Sequence, residues 1–202
     1  CFCESTGTGP GMRGLADMAL TEVVYDSQPI YGLECFTPTG NTLLNSVARR
    51  DATPEEYRAI EQVKSNAREQ LQRGININEV RDALLAYGHE SHWDDVAKRC
   101  LACANCTMSC PTCFCNTMED TTNLTGSEAT RTRVWDSCFT LDFSYIHGGS
   151  IRESGGARYR HWITHKLGTW REQFGTGGCV GCGRCIAWCP VGIDITEEAE
   201  NL

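Results

Sequence analysis

Cysteine spacing is the feature of this 202-residue chain that could do chemistry. Fourteen cysteines are present, and eight of them lie in two segments that share the pattern C-x2-C-x2-C-x3-C-P. The first segment contains Cys100, Cys103, Cys106, Cys110 and Pro111, and the second contains Cys179, Cys182, Cys185, Cys189 and Pro190. Thiolates at this spacing are ligands of iron–sulfur clusters, so the pattern predicts two [4Fe-4S] clusters.

The order of the cysteines predicts which cluster each one binds. Three thiolates with two residues between them can wrap one face of a cubane, whereas the fourth begins a helix that points away and reaches the other cubane. We therefore expect the first cluster at Cys100, Cys103, Cys106 and Cys189, and the second at Cys179, Cys182, Cys185 and Cys110.

Residues between the ligands have expected roles as well. Ala102, Ala104, Gly181 and Gly183 are small enough for backbone N–H groups to approach sulfur, and such hydrogen bonds tune a cluster's reduction potential. Trp188 lies between two expected ligands, and we expect it to cover a cluster from water.

Other chemistry fits the cysteines less well. Zinc sites use paired C-x2-C elements and four ligands in total, which a repeated C-x2-C-x2-C does not match. Disulfides between cysteines this close along the chain would form strained rings. No Ser–His–Asp arrangement, phosphate-binding loop or carboxylate pair is indicated, so no catalytic residue is predicted.

Six cysteines lie outside the two segments. Two C-F-C pairs and a W-D-S-C motif supply five of them, which are Cys1, Cys3, Cys113, Cys115 and Cys138. These five could bind a third metal centre, or they could be ordinary thiols of a protein in a reducing compartment. No role is indicated for Cys35.

Local sequence signals predict the elements that position the cysteines. Residues 19–25 and 30–36 are typical of two strands joined by a turn at 26–29. Thr53, Pro54 and Glu56 form a capping box with proline at the first helical position, which predicts a helix over 53–73. Further helices are expected over 79–87, ending at Gly88, and over 92–99 with Ser91 as the cap.

The distribution of these elements predicts a mainly α protein with a small β portion at the N-terminus. We expect 1–45 to be the C-terminal part of an upstream β-containing domain, since the chain begins at Cys1, and 46–99 to be a helical lead-in. Residues 100–202 would form the dicluster domain. Its insert, 112–178, contains two glycine pairs that suggest turns between short helices. The long insert and helical lead-in favour an α-helical ferredoxin type over the compact βαββαβ type.

Charge and hydropathy exclude two classes of partner. A net charge of −8 argues against a general nucleic-acid binder, because such a protein would present a basic face. No apolar run approaches the ~20 residues of a membrane-spanning helix.

Several segments resemble a known family. They are CLACANCTMSCPTCFCNTMED from Cys100, VWDSCFTLDFS from Val134, RYRHWITHK from Arg158 and GCVGCGRCIAWCPVGIDI from Gly178, with CFCESTGTGP and ADMALTEV before them. Together they are similar to the iron–sulfur β subunit of NAD(P)-linked [NiFe] hydrogenases (sulfhydrogenases), and equally to the corresponding iron–sulfur subunit of anaerobic sulfite reductase.

The resemblance implies a non-catalytic electron-transfer subunit of a cytoplasmic, anaerobic oxidoreductase complex. Its partners would be a flavoprotein that binds FAD and NAD(P), and other redox subunits, such as a hydrogenase or a sirohaem subunit. The family also retains the C-F-C and W-D-S-C cysteines, which favours a third centre. The alternative from another class is a binding module in which clusters serve only as structural staples.

Overall fold

The computed structural model describes residues 1–11, 16–86 and 90–202. They form two compact units, Cys1–Gly74 and Ile75–Leu202. The predicted end of a helix at Gly88 lies outside the described residues. In the part of the chain that is described, no helix is long and apolar enough to cross a membrane. The domain limits given above stay a prediction.

The first unit contains the predicted hairpin. Strand β1 (Met18–Tyr25) pairs antiparallel with β2 (Gln28–Cys35), with Tyr25 opposite Gln28. Asp26 and Ser27 form the turn with φ angles of 48° and 62°. Two successive left-handed residues give a turn whose twist matches that of the strands, so the turn is shorter than predicted and 28–29 belong to β2.

Two helices complete the first unit, α1 (Pro38–Asn45) and α2 (Pro54–Glu69). The predicted capping box is confirmed at the start of α2. The Glu56 N–H donates to Thr53 Oγ1 at 3.3 Å, and the Thr53 N–H donates to Glu56 Oε2 at 2.9 Å. On the buried face of α2, Lys64 Nζ lies 2.6 Å from Glu34 Oε2 and so fastens the helix to β2.

The second unit is mainly helical. Its helices are α3 (Ile77–Leu85), α4 (Glu90–Arg99), α5 (Asn105–Met108), α6 (Gly155–Ile163), α7 (Trp170–Phe174), α8 (Arg184–Ala187) and α9 (Ile195–Glu200), and a π-helical turn, Thr164–Thr169, joins α6 to α7. Helices α4 and α6 pack closely because Gly156 has no side chain. A Cβ at this position would lie only 2.6 Å from the Trp93 carbonyl oxygen. Their buried side chains include Val96, Tyr159 and Ile163.

The insert contains strands rather than only helices. Strand β3 (Asn116–Thr122) pairs antiparallel with β4 (Ala129–Trp135), and β5 (Tyr145–Ile146) with β6 (Gly149–Ser150). The expectation that the glycine pairs separate short helices is therefore wrong. Gly148 lies in the turn between β5 and β6 with a φ angle of 104°, Gly149 begins β6 with a φ angle of 131°, and Gly155 begins α6. The small β portion is thus not confined to the N-terminus.

Candidate iron–sulfur site

The two cysteine segments fold into loops of the same backbone shape. Ala102 and Ala104 have φ angles of 52° and 65°, and the corresponding Gly181 and Gly183 have φ angles of 61° and 74°. Each loop leads into a one-turn helix, α5 in the first and α8 in the second, and these helices pack together. The sequence repeat is therefore also a structural repeat.

Backbone N–H groups in these loops donate to cysteine sulfur. The Ala102 N–H lies 3.4 Å from Cys100 Sγ, and the Gly181 N–H lies 3.3 Å from Cys179 Sγ. Downstream of the second loop, the Ile193 N–H donates to Cys189 Sγ at 3.3 Å. Ala102 and Gly181 both have the left-handed backbone that accompanies this contact, a conformation that glycine adopts without strain.

One cavity gathers the four cysteines expected at the first cluster. Its lining includes Cys100, Cys103 and Cys106 from the first loop and Cys189 from the second, with Cys185 also present. The other walls are uncharged and largely apolar, and they include Phe139, Tyr159, Trp162, Ile193 and Ile195. Burial raises the pKa of the Cys106 thiol well above its ordinary value, and the charge of Cys185 raises it further.

Two buried polar atoms beside this cavity fit an anionic cofactor. Tyr159 Oη and Trp162 Nε1 are buried and have no hydrogen-bond partner in the described part of the chain. Buried donors normally have an acceptor. The sulfur atoms of a cluster are acceptors of that kind, so the residues at this cavity fit a [4Fe-4S] group.

The second set of cysteines also meets across the two loops. Burial raises the pKa of Cys179 to about 11, and the charges of Cys110 and Cys182 contribute to that rise. Burial likewise raises the pKa of Cys185 to about 12, with Cys179 and Cys110 among the contributing charges. Cys110 of the first loop is therefore a close neighbour of the second loop.

A threonine holds the ends of the two loops together. Thr112 Oγ1 donates to the Gly178 carbonyl at 2.7 Å and lies 3.3 Å from Cys110 Sγ. Gly178 is required here because a Cβ would lie 2.6 Å from both the Lys166 carbonyl and the Trp170 ring.

Lys166 is a functional candidate that sequence reasoning missed. Its side chain is 3% exposed, and Nζ lies 3.5 Å from Cys110 Sγ and 2.8 Å from Thr112 Oγ1. Nζ also lies 4.7 Å from the centre of the Trp170 ring. A lysine four residues before a tryptophan is the local signal that could have identified it, since cation and ring then share one helical face.

Three of the five cysteines predicted for a third centre, Cys113, Cys115 and Cys138, lie beside another thiol. A hydrogen bond from Cys113 lowers the pKa of Cys110 to about 4, and one from Cys138 lowers the pKa of Cys115 to about 6. Cys110, Cys113 and Cys115 line a surface cavity, and Cys138 is buried. Cys1 and Cys3 belong to the other compact unit. Within the described ranges, no three His, Cys, Asp or Glu residues are grouped to hold a single metal ion. The third centre stays a prediction.

Trp188, expected to cover a cluster, does not cover the first cavity. Its side chain is 64% exposed and does not line the first cavity, while its carbonyl accepts from Asn105 Nδ2 at 3.2 Å. The aromatic cover comes instead from Phe139, Tyr159 and Trp162, whose rings lie 5.3–6.2 Å apart. Tyr159 and Trp162 are three residues apart on α6, a spacing that could have indicated this shared face.

Two three-cysteine loops, each with a fourth thiol beside the other loop, are the arrangement expected of a ferredoxin-type domain with two iron–sulfur clusters. Residues 99–193 match the family described as 4Fe-4S dicluster domain. The predicted pair of [4Fe-4S] clusters is thereby confirmed.

One relative matches the chain over its whole length. The chain is 30% identical over 218 aligned positions to sulfhydrogenase 2 subunit beta of Pyrococcus furiosus. The match covers 100% of this chain and 59% of that protein. No solved structure matches the chain. The chain is thus similar over its whole length to a sulfhydrogenase β subunit, which confirms the resemblance drawn from its motifs.

Proposed function

We propose that this chain relays single electrons between a flavoprotein and the other redox centres of a cytoplasmic, NAD(P)-linked [NiFe] hydrogenase complex. A bound [4Fe-4S] cluster supplies a site that gains or loses one electron. The relationship to a sulfhydrogenase β subunit supports the kind of complex. The chain spans 59% of the length of that relative, so we propose the flavoprotein and the other redox subunits as its partners.

The observation that best supports an electron relay is that both cysteine loops contribute to the lining of the first cavity. Cys189 of the second loop lines it together with three cysteines of the first loop. We accordingly assign Cys100, Cys103, Cys106 and Cys189 to one cluster, and Cys179, Cys182, Cys185 and Cys110 to the other, in an α-helical ferredoxin-type domain. Crossed ligation places two clusters side by side, which electron relay needs and a structural staple does not.

The chain's own residues would hold and insulate the clusters. Backbone N–H groups of Ala102 and Gly181 donate to ligand sulfur, which favours the thiolate form. Phe139 and Trp162, 2% and 5% exposed, keep water from one side of the first cavity. Where water is excluded, the backbone N–H dipoles are screened less and interact more strongly with the ligand sulfur atoms.

Redox spectroscopy on anaerobically reconstituted protein tests the relay. We expect the two clusters to contribute about eight irons per chain and two interacting S = 1/2 signals after dithionite reduction. Cys35→Ala is the matched control, since it removes a thiol outside both ligand sets and should keep both signals. Full iron content with no reduction across the accessible range would favour the structural-staple alternative.

The alternative within the same class is the iron–sulfur subunit of an anaerobic sulfite reductase. The motifs quoted above are similar to both families, so the distinction must come from partners. Adjacent genes for hydrogenase large and small subunits would support the hydrogenase complex, and a gene for a sirohaem protein would support the reductase.

A third centre is a separate proposal. We propose that it would draw its ligands from Cys1, Cys3, Cys113, Cys115 and Cys138, and the Cys115–Cys138 pair supports a role for those two. About twelve irons per chain would support a third cluster, and about eight would contradict it.

A further inference from the structure

A buried cation lies beside one ligand set. Lys166 Nζ is 3.5 Å from Cys110 Sγ and 2.8 Å from Thr112 Oγ1, and Cys113 is a further neighbour. Trp170 covers it at 4.7 Å from the ring centre. In the described residues, no carboxylate lies within ion-pair distance of Nζ. Lysine is almost never fully buried without a negative partner, so the contacts point to negative charge at the sulfur side.

A lysine ammonium carries a positive charge at neutral pH. The contacts of Lys166 Nζ with Cys110 Sγ, Thr112 Oγ1 and the Trp170 ring are all of a kind that a cation makes. The π-helical turn Thr164–Thr169 fixes the backbone at Lys166, and Gly178 packs directly against its carbonyl. The cation is therefore held in place rather than free to reach water.

The first cavity has no equivalent charge. Its lining consists of cysteines and uncharged residues. The positive charge of Arg158 favours the thiolate form of Cys100, but Arg158 does not line the cavity. Its guanidinium donates instead to the carbonyls of Arg152 and Glu153 at 3.1 and 2.8 Å. Neutral donors act on both sets, from Ala102 and Ile193 in one and Gly181 in the other. A full positive charge is thus the main difference between the two environments.

Reduction adds one negative charge and no proton to a cluster site. A cation within a few ångströms in a dry interior stabilises that added charge, whereas apolar burial opposes it. We infer that Lys166 makes the second site, Cys179, Cys182, Cys185 and Cys110, the more easily reduced of the two, a conclusion that rests on the proposed ligand assignment. The first electron given to the chain is then held beside Lys166, and the relay has a built-in direction.

Single-site variants test the order of potentials without changing Lys166. Cys103→Ala should retain the second cluster and Cys182→Ala the first, each with about four irons per chain. In potentiometric EPR titrations at the same potential, the cluster that remains in Cys103→Ala should have a reduced-to-oxidised ratio at least tenfold higher than the cluster that remains in Cys182→Ala. For one electron, this corresponds to a reduction potential about 59 mV higher. A ratio that is equal, or higher for Cys182→Ala, would overturn the inference.

Removing the positive charge of Lys166 tests whether that charge causes the difference in reduction potential. In the Cys103→Ala background, Lys166→Met should lower the reduced-to-oxidised ratio about tenfold or more, while Lys166→Arg, which keeps the charge, should lower it much less. In the Cys182→Ala background, Lys166→Met should leave the ratio nearly unchanged. Lys98→Met is the matched control, because it removes the same charge from an exposed side chain.

Iron content keeps the two proposals apart. Unchanged iron in both cysteine variants would refute the ligand assignment. Correct iron content with no effect of Lys166→Met on either ratio would refute only the role of Lys166. If Lys166→Met loses its iron, Lys166→Gln and the comparison of the two cysteine variants still decide the question.

Discussion

Ala102 and Ala104 adopt left-handed backbone conformations that usually favour glycine, and the second loop has glycine at both corresponding positions. Such conformations cost an L-residue roughly 1 kcal/mol each. They persist here because they turn N–H groups toward cysteine sulfur and start a one-turn helix with the third cysteine on its first turn. Ligand geometry at the residue scale therefore depends on a few backbone angles between the cysteines.

Loss of a central ligand should remove one cluster and spare the other. For Cys103→Ala and for Cys182→Ala, we expect iron to fall from about eight to about four per chain, because each site then lacks one of its four thiolates. Iron quantitation with EPR of the remaining signal measures this. Retention of full iron content in either variant would contradict the assignment of that cysteine.

The cysteine ligands could be predicted from spacing alone, but their surroundings could not. Crossed ligation follows from a local pattern with a fixed geometric meaning. Trp188 illustrates the limit, because its position between two ligands says nothing about which side of α8 it faces. Lys166 and Phe139 are remote in sequence from their nearest cysteine loops, so only the folded chain brings them to the site.

At the scale of elements, strong local signals were reliable and weak ones were not. The capping box of α2 and the β1–β2 hairpin were predicted because each is specified by adjacent residues. The β3–β4 hairpin was missed because all but one of its strand residues are exposed, so no alternation of apolar and polar residues marks it. The π-helical turn has no recognised sequence signature.

The start of α2 should be sensitive to acid. Arg50 binds Glu56 at 2.5 and 2.7 Å, and this contact, with the Thr53 N–H, lowers the pKa of Glu56 from 4.5 to about 2. A lowered pKa in the folded state adds stability that is complete above about pH 4.5 and is lost as the pH falls toward 2. The free-energy difference between the native chain and Glu56→Gln, from urea unfolding, should therefore shrink between pH 5 and about 3.

Glu55→Gln is the control for that experiment, because Glu55 is 55% exposed and its carboxylate pairs with the exposed Arg58 in an i,i+3 contact. Its effect on stability should be small and nearly independent of pH. A Glu56→Gln difference that stays constant across the same range would contradict the stabilising contact with Arg50.

Close packing at Gly178 should make the entry to the second loop intolerant of a side chain. A Cβ there would meet the Lys166 carbonyl and the Trp170 ring at 2.6 Å. We expect Gly178→Ala to destabilise the second unit by about 1–3 kcal/mol and to reduce the yield of its iron. Gly177→Ala should have little effect, since its Cβ would be 3.8 Å from the Cys179 carbonyl, an ordinary contact. Equal melting temperatures for the two variants would contradict this account.

At the scale of the whole molecule, all eight assigned ligands lie in one compact unit, Ile75–Leu202, whereas Cys1 and Cys3 lie in the other. Helix α9 helps to close this unit, because Glu198, 5% exposed, lies 2.9 Å from Arg99 and 3.5 Å from His92 on α4. The chain after the last ligand is thus tied back to the helix that precedes the first ligand.

Separation of the two units should leave both assigned clusters intact. With a protease site inserted after Gly74, cleavage of the loaded chain should leave about eight irons on the 75–202 fragment. Iron quantitation of the separated fragments measures this, and the uncut chain is the control. Loss of about four irons would show that a cysteine of the first unit is a ligand, and loss of all iron would contradict the compactness of the second unit.

The exposed β3–β4 hairpin offers a practical attachment point. Its strands bury little of their surface, and the turn between them is held by the Asn123 side chain, which accepts from the backbone of Ser127 and Glu128. Insertions are tolerated best at such tips, because no core packing is disturbed. A surface-binding peptide inserted there would immobilise the chain on an electrode in one orientation, so that current into the clusters could be recorded directly.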